Sequence, residues 1–148
     1  MSSEENPTAE SLSSVLSPLL ASGKYSDMKM LCGSRVFDAH INIVCSHSKE
    51  ANERQVDLPE NDPHAVGKML DYLYTHQYDA EETGASLILH ARLYVCGDKY
   101  DIPGLKSLSK QKYLEVLKTY YQHAVFGQSL GIIYYDSRDR IRILGMPQ

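Results

Sequence analysis

The stretch that decides the fold is residues 93–106, which read LYVCGDKYDIPGLK. Its first half continues the apolar pattern of a buried helix that begins near Leu87. The Asp101-Ile102-Pro103-Gly104 segment then ends this helix, because proline breaks helical hydrogen bonding and glycine suits a turn. Apolar residues resume at helical spacing between Leu105 and Leu117. The second half of the chain is therefore predicted to be an array of helices.

A further helix is predicted just upstream of this array. Asp62 is a residue type that caps helices, and Pro63 is suited to the first helical position. An apolar stripe with a helical repeat follows from Val66 to Tyr74. The sequence therefore predicts that this helix begins at Pro63.

Short strands are predicted before that helix. Residues 28–44 have the pattern of a hairpin, with Gly33-Ser34 as its turn and an extended apolar run from Val36 to Val44. Val56 and its alternating neighbours indicate one more strand, which Pro59 stops. The first half is thus predicted to supply a small sheet.

The two ends of the chain differ in pattern. Residues 1–11 are polar and are predicted to form a disordered tail. A first helix is predicted next, and Ser22-Gly23 ends it. At the other end, residues 119–148 form a C-terminal extension, and the pattern does not decide between helix and strand there. One face of the first helix carries apolar residues at helical spacing: Leu12, Val15, Leu16, Leu19 and Leu20.

Composition excludes several classes of protein. The chain has 148 residues, of which 43% are hydrophobic and 23% charged, as expected for one globular domain. The 15 Lys and Arg residues are scattered among 19 Asp and Glu residues, so we expect no nucleic-acid binding. No apolar run is long enough to span a membrane, and the first residues lack the pattern of a signal peptide. The three cysteines are predicted to be buried, reduced thiols. We therefore expect a protein of the cytoplasm or nucleus.

No motif for enzyme chemistry is present. Cys45-Ser46-His47-Ser48 brings nucleophile and base residue types together, but neighbours in sequence seldom form a catalytic site. The chain has no nucleophile elbow, no phosphate-binding glycine loop and no paired Cys and His spacing for zinc. We therefore expect no catalytic residue, cofactor, metal or small-molecule substrate.

Five ordered segments carry a resemblance to a known family. They are Leu19–Asp27, Phe37–His40, Asp57–Pro63, Met69–Thr75 and Leu93–Lys106, and the last is the most specific. Together they resemble the BTB/POZ fold in its fungal style. The resemblance implies an α+β fold, with a small mixed sheet flanked by a cluster of helices, over residues 12–118.

The sequence departs from the family pattern between residues 48 and 55. After Ser48 the family continues through a small helical hairpin, whereas here Lys49-Glu50-Ala51 follows almost at once. A shortened central hairpin removes apolar side chains from beneath the later helices. We therefore expect a domain that unfolds easily or needs a partner.

The resemblance also implies roles for particular residues. A self-association face is expected on the first helix, at Leu12, Leu16, Leu19 and Leu20, since an apolar stripe before the first strand has little of its own domain to cover. Asp27 and His40 occupy a structural pocket. Many members have a basic residue after this histidine, but here it is Ile41, so a charged pocket is not expected.

The function that the resemblance implies is that of a protein-protein interaction adaptor that forms homodimers and recruits partners. Alternatives are a substrate adaptor of a cullin-3 ubiquitin ligase, a transcriptional co-regulator that binds a corepressor, and a truncated non-functional or dominant-negative fragment. In cullin-binding members the loop before the Val56 strand carries an apolar residue two positions before a glutamate, whereas here Ser48 precedes Glu50. Partner contacts are expected at Glu50, Asp71, Tyr74, His76 and Tyr113.

Overall fold

The computed structural model describes residues 9–45, 55–58, 61–81, 83–120 and 124–136. Their elements, in chain order, are α1 (Ala9–Ser22), β1 (Met28–Cys32), β2 (Arg35–Ala39), α2 (Ile41–Cys45), β3 (Gln55–Asp57), α3 (Pro63–Thr75), α4 (Ser86–Lys99), α5 (Pro103–Tyr120) and α6 (Ala124–Asp136). This is the predicted α+β arrangement. The predicted shortening of the central hairpin falls between Cys45 and Gln55, outside the described residues.

The strands form a small mixed sheet in the order β2-β1-β3. Strand β1 pairs antiparallel with β2, and Cys32 lies opposite Arg35 across the predicted Gly33-Ser34 turn. Gly33 has φ +60°, a conformation that glycine adopts without steric cost. Strand β3 pairs with β1 in parallel. One face of β1 is buried, which places the sheet against the helices.

Residues 93–106 form the junction between α4 and α5. The Gly97 carbonyl accepts a hydrogen bond from the Ile102 amide at 2.8 Å, which closes the end of α4. Asp101 has φ +56°, the left-handed conformation common just after a helix. Asp98 is buried and pairs with the Lys106 ammonium at 3.0 Å. The turn therefore folds α5 back onto α4.

Helix α3 begins where the sequence predicts. The Asp62 carboxylate accepts a hydrogen bond from the Ala65 amide at 3.1 Å, and Pro63 is the first helical residue. At the other end His76 has φ +61°, and its amide donates to the Tyr72 carbonyl at 2.7 Å.

Two boundaries differ from the sequence predictions. Helix α1 begins at Ala9, so part of the predicted tail of residues 1–11 is helical. The extended run from Val36 to Val44 is wrong beyond Ala39, because α2 begins at Ile41. The Ile41 amide donates to the Asp27 carboxylate at 2.7 Å, which satisfies a helix N-terminal donor and favours the change of direction.

Among the described residues, two clusters of buried side chains form the core. The larger joins the inner face of the sheet to α3 and α4, with Met30, Leu70 and Leu93 among its members. The smaller joins α4 and α5 to α6, where Ile133 is buried beside Tyr113. Helix α6 thus makes part of the predicted C-terminal extension a packed element.

Candidate functional site

Helix α1 has an inward and an outward side. Leu16 and Leu20 are partly buried and pack against the larger core cluster, on the side where α1 meets α3. The chain's own core therefore covers part of each of these two side chains, and their role in self-association stays a prediction. Val15 is 62% exposed, and Leu19, one turn further on, is partly exposed. The side chain of Leu12 is outside the described part of the structure.

Asp27 and His40 hold the loop after α1 against α2 and α3. His40 Nε2 lies 2.6 Å from the Lys24 carbonyl, which can only accept, so Nε2 carries the proton. The other ring nitrogen, Nδ1, lies 2.6 Å from the Tyr74 hydroxyl. The backbone amide of His40 donates to that same hydroxyl oxygen at 2.9 Å. The hydroxyl therefore accepts from this amide and donates its own proton to Nδ1.

A groove runs between the end of α1, strand β2 and α3. Phe37 lies in its wall, and the Arg35 guanidinium sits 4.7 Å from the centre of that ring. Burial raises the pKa of Asp71. The charged or titratable residues of the groove are Arg35, Asp38, His64, Lys68 and Asp71. Such a mixed lining is suited to a polypeptide that carries both apolar and charged groups.

The contribution of β2 to this groove was not predicted. Val36 is 56% exposed and Arg35 and Asp38 are exposed, whereas Ala39 is fully buried. The sequence prediction extended this strand to Val44 and treated it as an apolar run. Asp38, which stands between the partly buried Phe37 and the buried Ala39, is the sequence signal that the strand has a solvent-facing side.

The structure separates the residues that were predicted to contact a partner. Tyr74 is 1% exposed and Tyr113 is 7% exposed. Their hydroxyl groups are engaged inside the chain, that of Tyr113 with the Ser129 hydroxyl at 2.8 Å. Little of either tyrosine is therefore accessible to a partner in this structure, and the predicted contacts at Tyr74 and Tyr113 stay a prediction. Asp71 lines the groove, His76 is exposed at the end of α3, and Glu50 is outside the described residues.

Two other kinds of site are not seen in the described ranges. No group of three or more His, Cys, Asp or Glu side chains there could hold a metal ion. None of the helices described is both long and apolar enough to cross a membrane. Cys32 and Cys96 are buried free thiols, and burial raises the pKa of Cys96 to about 12.

Comparison with known proteins gives one family and one fold. The model of the BTB/POZ domain family matches residues 16–117, which is more than half of the chain. Among solved structures, the BTB domain of zebrafish PATZ1 is similar, with a TM-score of 0.59 and 16% sequence identity. That similarity covers 72% of this chain and 91% of the zebrafish domain. No curated protein sequence matches the chain.

Proposed function

The chain belongs to the BTB/POZ domain family, whose members are generally protein-interaction modules and not enzymes, and we propose that it is an adaptor that forms homodimers and recruits a further protein. The observation that carries the proposal is the exposed apolar side of α1, beside a groove of mixed charge. Both features suit contacts with proteins.

The dimer surface is the outward side of α1. Val15 and Leu19 are four residues apart, so they lie one turn apart on the same side of the helix. A two-fold dimer brings the same patch of each copy together, so this short apolar stripe would face its own counterpart. Burial of Val15 in such a contact removes a large exposed apolar side chain from water.

Sedimentation of matched variants tests the dimer. The double substitution Val15→Asp and Leu19→Asp places a charge on each apolar position, and we expect it to shift the protein from dimer to monomer. Ser17→Asp is the control, because Ser17 is exposed on the same helix but points to another side. A monomeric wild-type protein at high concentration, or a dimer that survives the double substitution, would contradict the proposal.

Partner recruitment is assigned to the groove between α1, β2 and α3. Lys68 and Asp71 lie three residues apart on α3 and both line it. A partner segment with apolar and charged side chains could contact Phe37 and both charges together. The proposed partner is therefore an exposed polypeptide segment.

Copurification followed by mass spectrometry tests this assignment. We expect partners of the wild-type chain to be lost from the Lys68→Glu variant and kept by Lys110→Glu, since Lys110 is exposed on α5 and is not part of the groove. Recovery of a cullin or of a corepressor would identify which of the two adaptor roles applies. Equal recovery by all three proteins would exclude the groove as the recruitment site.

A further inference from the structure

The turn between α1 and β1 presents the most exposed of the large apolar side chains that the structure describes. Tyr25 is 77% exposed there, and the exposed Lys24 carries its ammonium 5.1 Å from the centre of the tyrosine ring. The two side chains form one unit in solvent, with a positive charge over an aromatic face. We call this unit the Lys24–Tyr25 tip. An aromatic ring that is buried against a partner removes roughly 150–250 Å² from water.

The backbone of Tyr25 lies in a conformation that is unfavourable for a residue with a side chain. Its φ of +63° is in the left-handed region, where Cβ crowds the following carbonyl oxygen. The Ser26 amide donates to the Gly23 carbonyl at 3.1 Å, so Tyr25 is the third residue of a tight turn. Turns with a positive φ at that position usually have glycine there. The backbone therefore gives no reason for a tyrosine, and strained residues of this kind cluster at functional sites.

Hydrogen bonds fix this turn from the side of the domain. His40 Nε2 donates to the Lys24 carbonyl at 2.6 Å, and the other nitrogen of the ring is held by the buried Tyr74 hydroxyl. The Asp27 amide donates to the Ala39 carbonyl at 3.1 Å, which ties the end of the turn to β2. The tip is therefore in place before a partner arrives, and this lowers the entropy cost of binding.

The chain leads directly from the recruitment groove to the tip. Gly23, two residues before Tyr25, is part of the groove lining. A segment held in the groove can therefore continue onto the ring. In a two-fold contact of two tips, the two Lys24 ammonium groups would repel each other, which favours a different protein over a second copy. The group that complements this ammonium is a carboxylate.

We propose that Tyr25 is an anchor residue of the recruitment site, and that the partner segment presents an apolar surface to the ring and a carboxylate to the Lys24 ammonium. This role rests on the recruitment function proposed above, since the anchored segment is the one held in the groove. The turn tolerates an unfavourable φ because the ring is used outside the chain.

Urea denaturation separates this role from a structural one. Tyr25→Gly removes the ring, and we expect an equal or higher free energy of unfolding, because glycine adopts a positive φ without the crowding of a Cβ atom. Asp101→Gly is the matched control, since the exposed Asp101 has φ +56°. A clear loss of stability with Tyr25→Gly but not with Asp101→Gly would show that the ring supports the fold, and would overturn the proposal.

Peptides selected on the full chain from a phage-displayed library of random sequences test the contact. We expect the selected peptides to carry an acidic residue next to apolar ones. Fluorescence anisotropy of a labelled selected peptide should show a loss of about tenfold in affinity with Tyr25→Gly, as for an interface anchor. Tyr25→Asn should lose as much, because asparagine tolerates a positive φ and keeps the turn without the ring.

Three further variants complete the test. Tyr25→Phe keeps the ring and should keep the affinity, as should Leu114→Ala, which shortens an exposed leucine of α5. Lys24→Glu should weaken binding, and a peptide with lysine in place of its acidic residue should restore it.

The outcomes also separate the tip from the groove. Binding that is lost with Lys68→Glu but unchanged with Tyr25→Gly would overturn the anchor role and leave the recruitment groove in place. Binding that neither substitution changes would contradict both, as would a library that yields no binding peptide. Selected peptides without an acidic residue would overturn the carboxylate assigned to the partner.

Discussion

The hydroxyl oxygen of Tyr78 lies 2.8 Å from Nδ1 of His90, and each residue is only 3% exposed. Burial and, to a smaller extent, the nearby Lys112 ammonium lower the pKa of His90 to about 4. Burial also raises the pKa of Tyr78. Both side chains are therefore neutral near pH 7, and the protonated imidazolium is excluded from this part of the core.

From the buried pair of Tyr78 and His90 we predict that the protein loses stability in mild acid. The unfolded histidine takes up a proton near its ordinary pKa of about 6.5, whereas the folded one does so only near 4. The contribution of His90 to the free energy of unfolding is therefore fully present above pH 6.5. It falls as the pH drops towards 4. At pH 5 the expected loss is about 2 kcal/mol in the free energy of unfolding.

Urea denaturation at several pH values measures this effect. His90→Gln removes the titrating group, so its free energy of unfolding should change less between pH 7 and 5 than that of the wild type. The difference between the two curves isolates His90 from the carboxyl groups that titrate in both proteins. Parallel curves would show that His90 does not control acid stability.

A second prediction concerns the close approach of α4 and α5. A Cβ atom at Gly97 would lie 2.6 Å from the backbone nitrogen of Lys106, which cannot move without displacing α5. Gly97→Ala is expected to lower the free energy of unfolding by about 1–3 kcal/mol, as overpacking of a core does. Thermal and urea denaturation measure the change.

Gly131→Ala is the matched substitution for this test. Gly131 lies inside α6, and nothing would lie within 4 Å of its added Cβ atom. Alanine there should stabilise the protein by about 0.4–1 kcal/mol, because it restricts the unfolded chain. If both substitutions have the same effect, the contact between Gly97 and Lys106 does not limit the packing of these helices.

The helices were predictable because their signals are local. Asp62 and Pro63 specify the start of α3, and the chain-breaking residues of segment 101–104 predict the break between α4 and α5, although Pro103 and Gly104 themselves begin α5. The end of β2 was not predictable in this way. It depends on the hydrogen bond from the Ile41 amide to Asp27, two residues that are distant in sequence.

The site was less predictable than the fold. A leucine stripe indicates that one side of α1 is apolar, but only the position of α3 shows that Leu16 and Leu20 are partly buried while Val15 is exposed. Tyr74 lies in an amphipathic helix and is a residue type common in interfaces. It is instead buried in the larger core cluster, and its hydroxyl bonds to His40, which lies between β2 and α2.

The Tyr74 hydroxyl supports a third prediction. It bonds both to the His40 amide and to the His40 ring, and burial raises its pKa to about 12. Tyr74→Phe leaves these His40 groups without that partner, so we expect a loss of about 1–3 kcal/mol in the free energy of unfolding. Tyr25→Phe is the control, because Tyr25 is 77% exposed and its hydroxyl should contribute little. Equal losses would contradict the role of the buried hydroxyl.

The last prediction is that the chain binds a cullin-3 scaffold weakly or not at all. In the members of the family that bind it, the apolar residue two positions before the loop glutamate fills a pocket on the scaffold. The corresponding residue here is Ser48, ahead of Glu50. Loss of a central anchor commonly costs about 2 kcal/mol, or roughly thirtyfold in affinity.

The remaining surface is poorly suited to replace that anchor. Tyr74 and Tyr113 are buried, which leaves Asp71 and His76 as the accessible residues of the predicted contact set among those described. Calorimetric titration against the purified N-terminal domain of cullin-3 measures the affinity. Submicromolar binding by the chain as it stands would refute the prediction. Insertion of a helical hairpin that ends in Phe-Lys-Glu should restore binding, whereas the same hairpin ending in Ser-Lys-Glu should not, because only the phenylalanine supplies the missing apolar anchor.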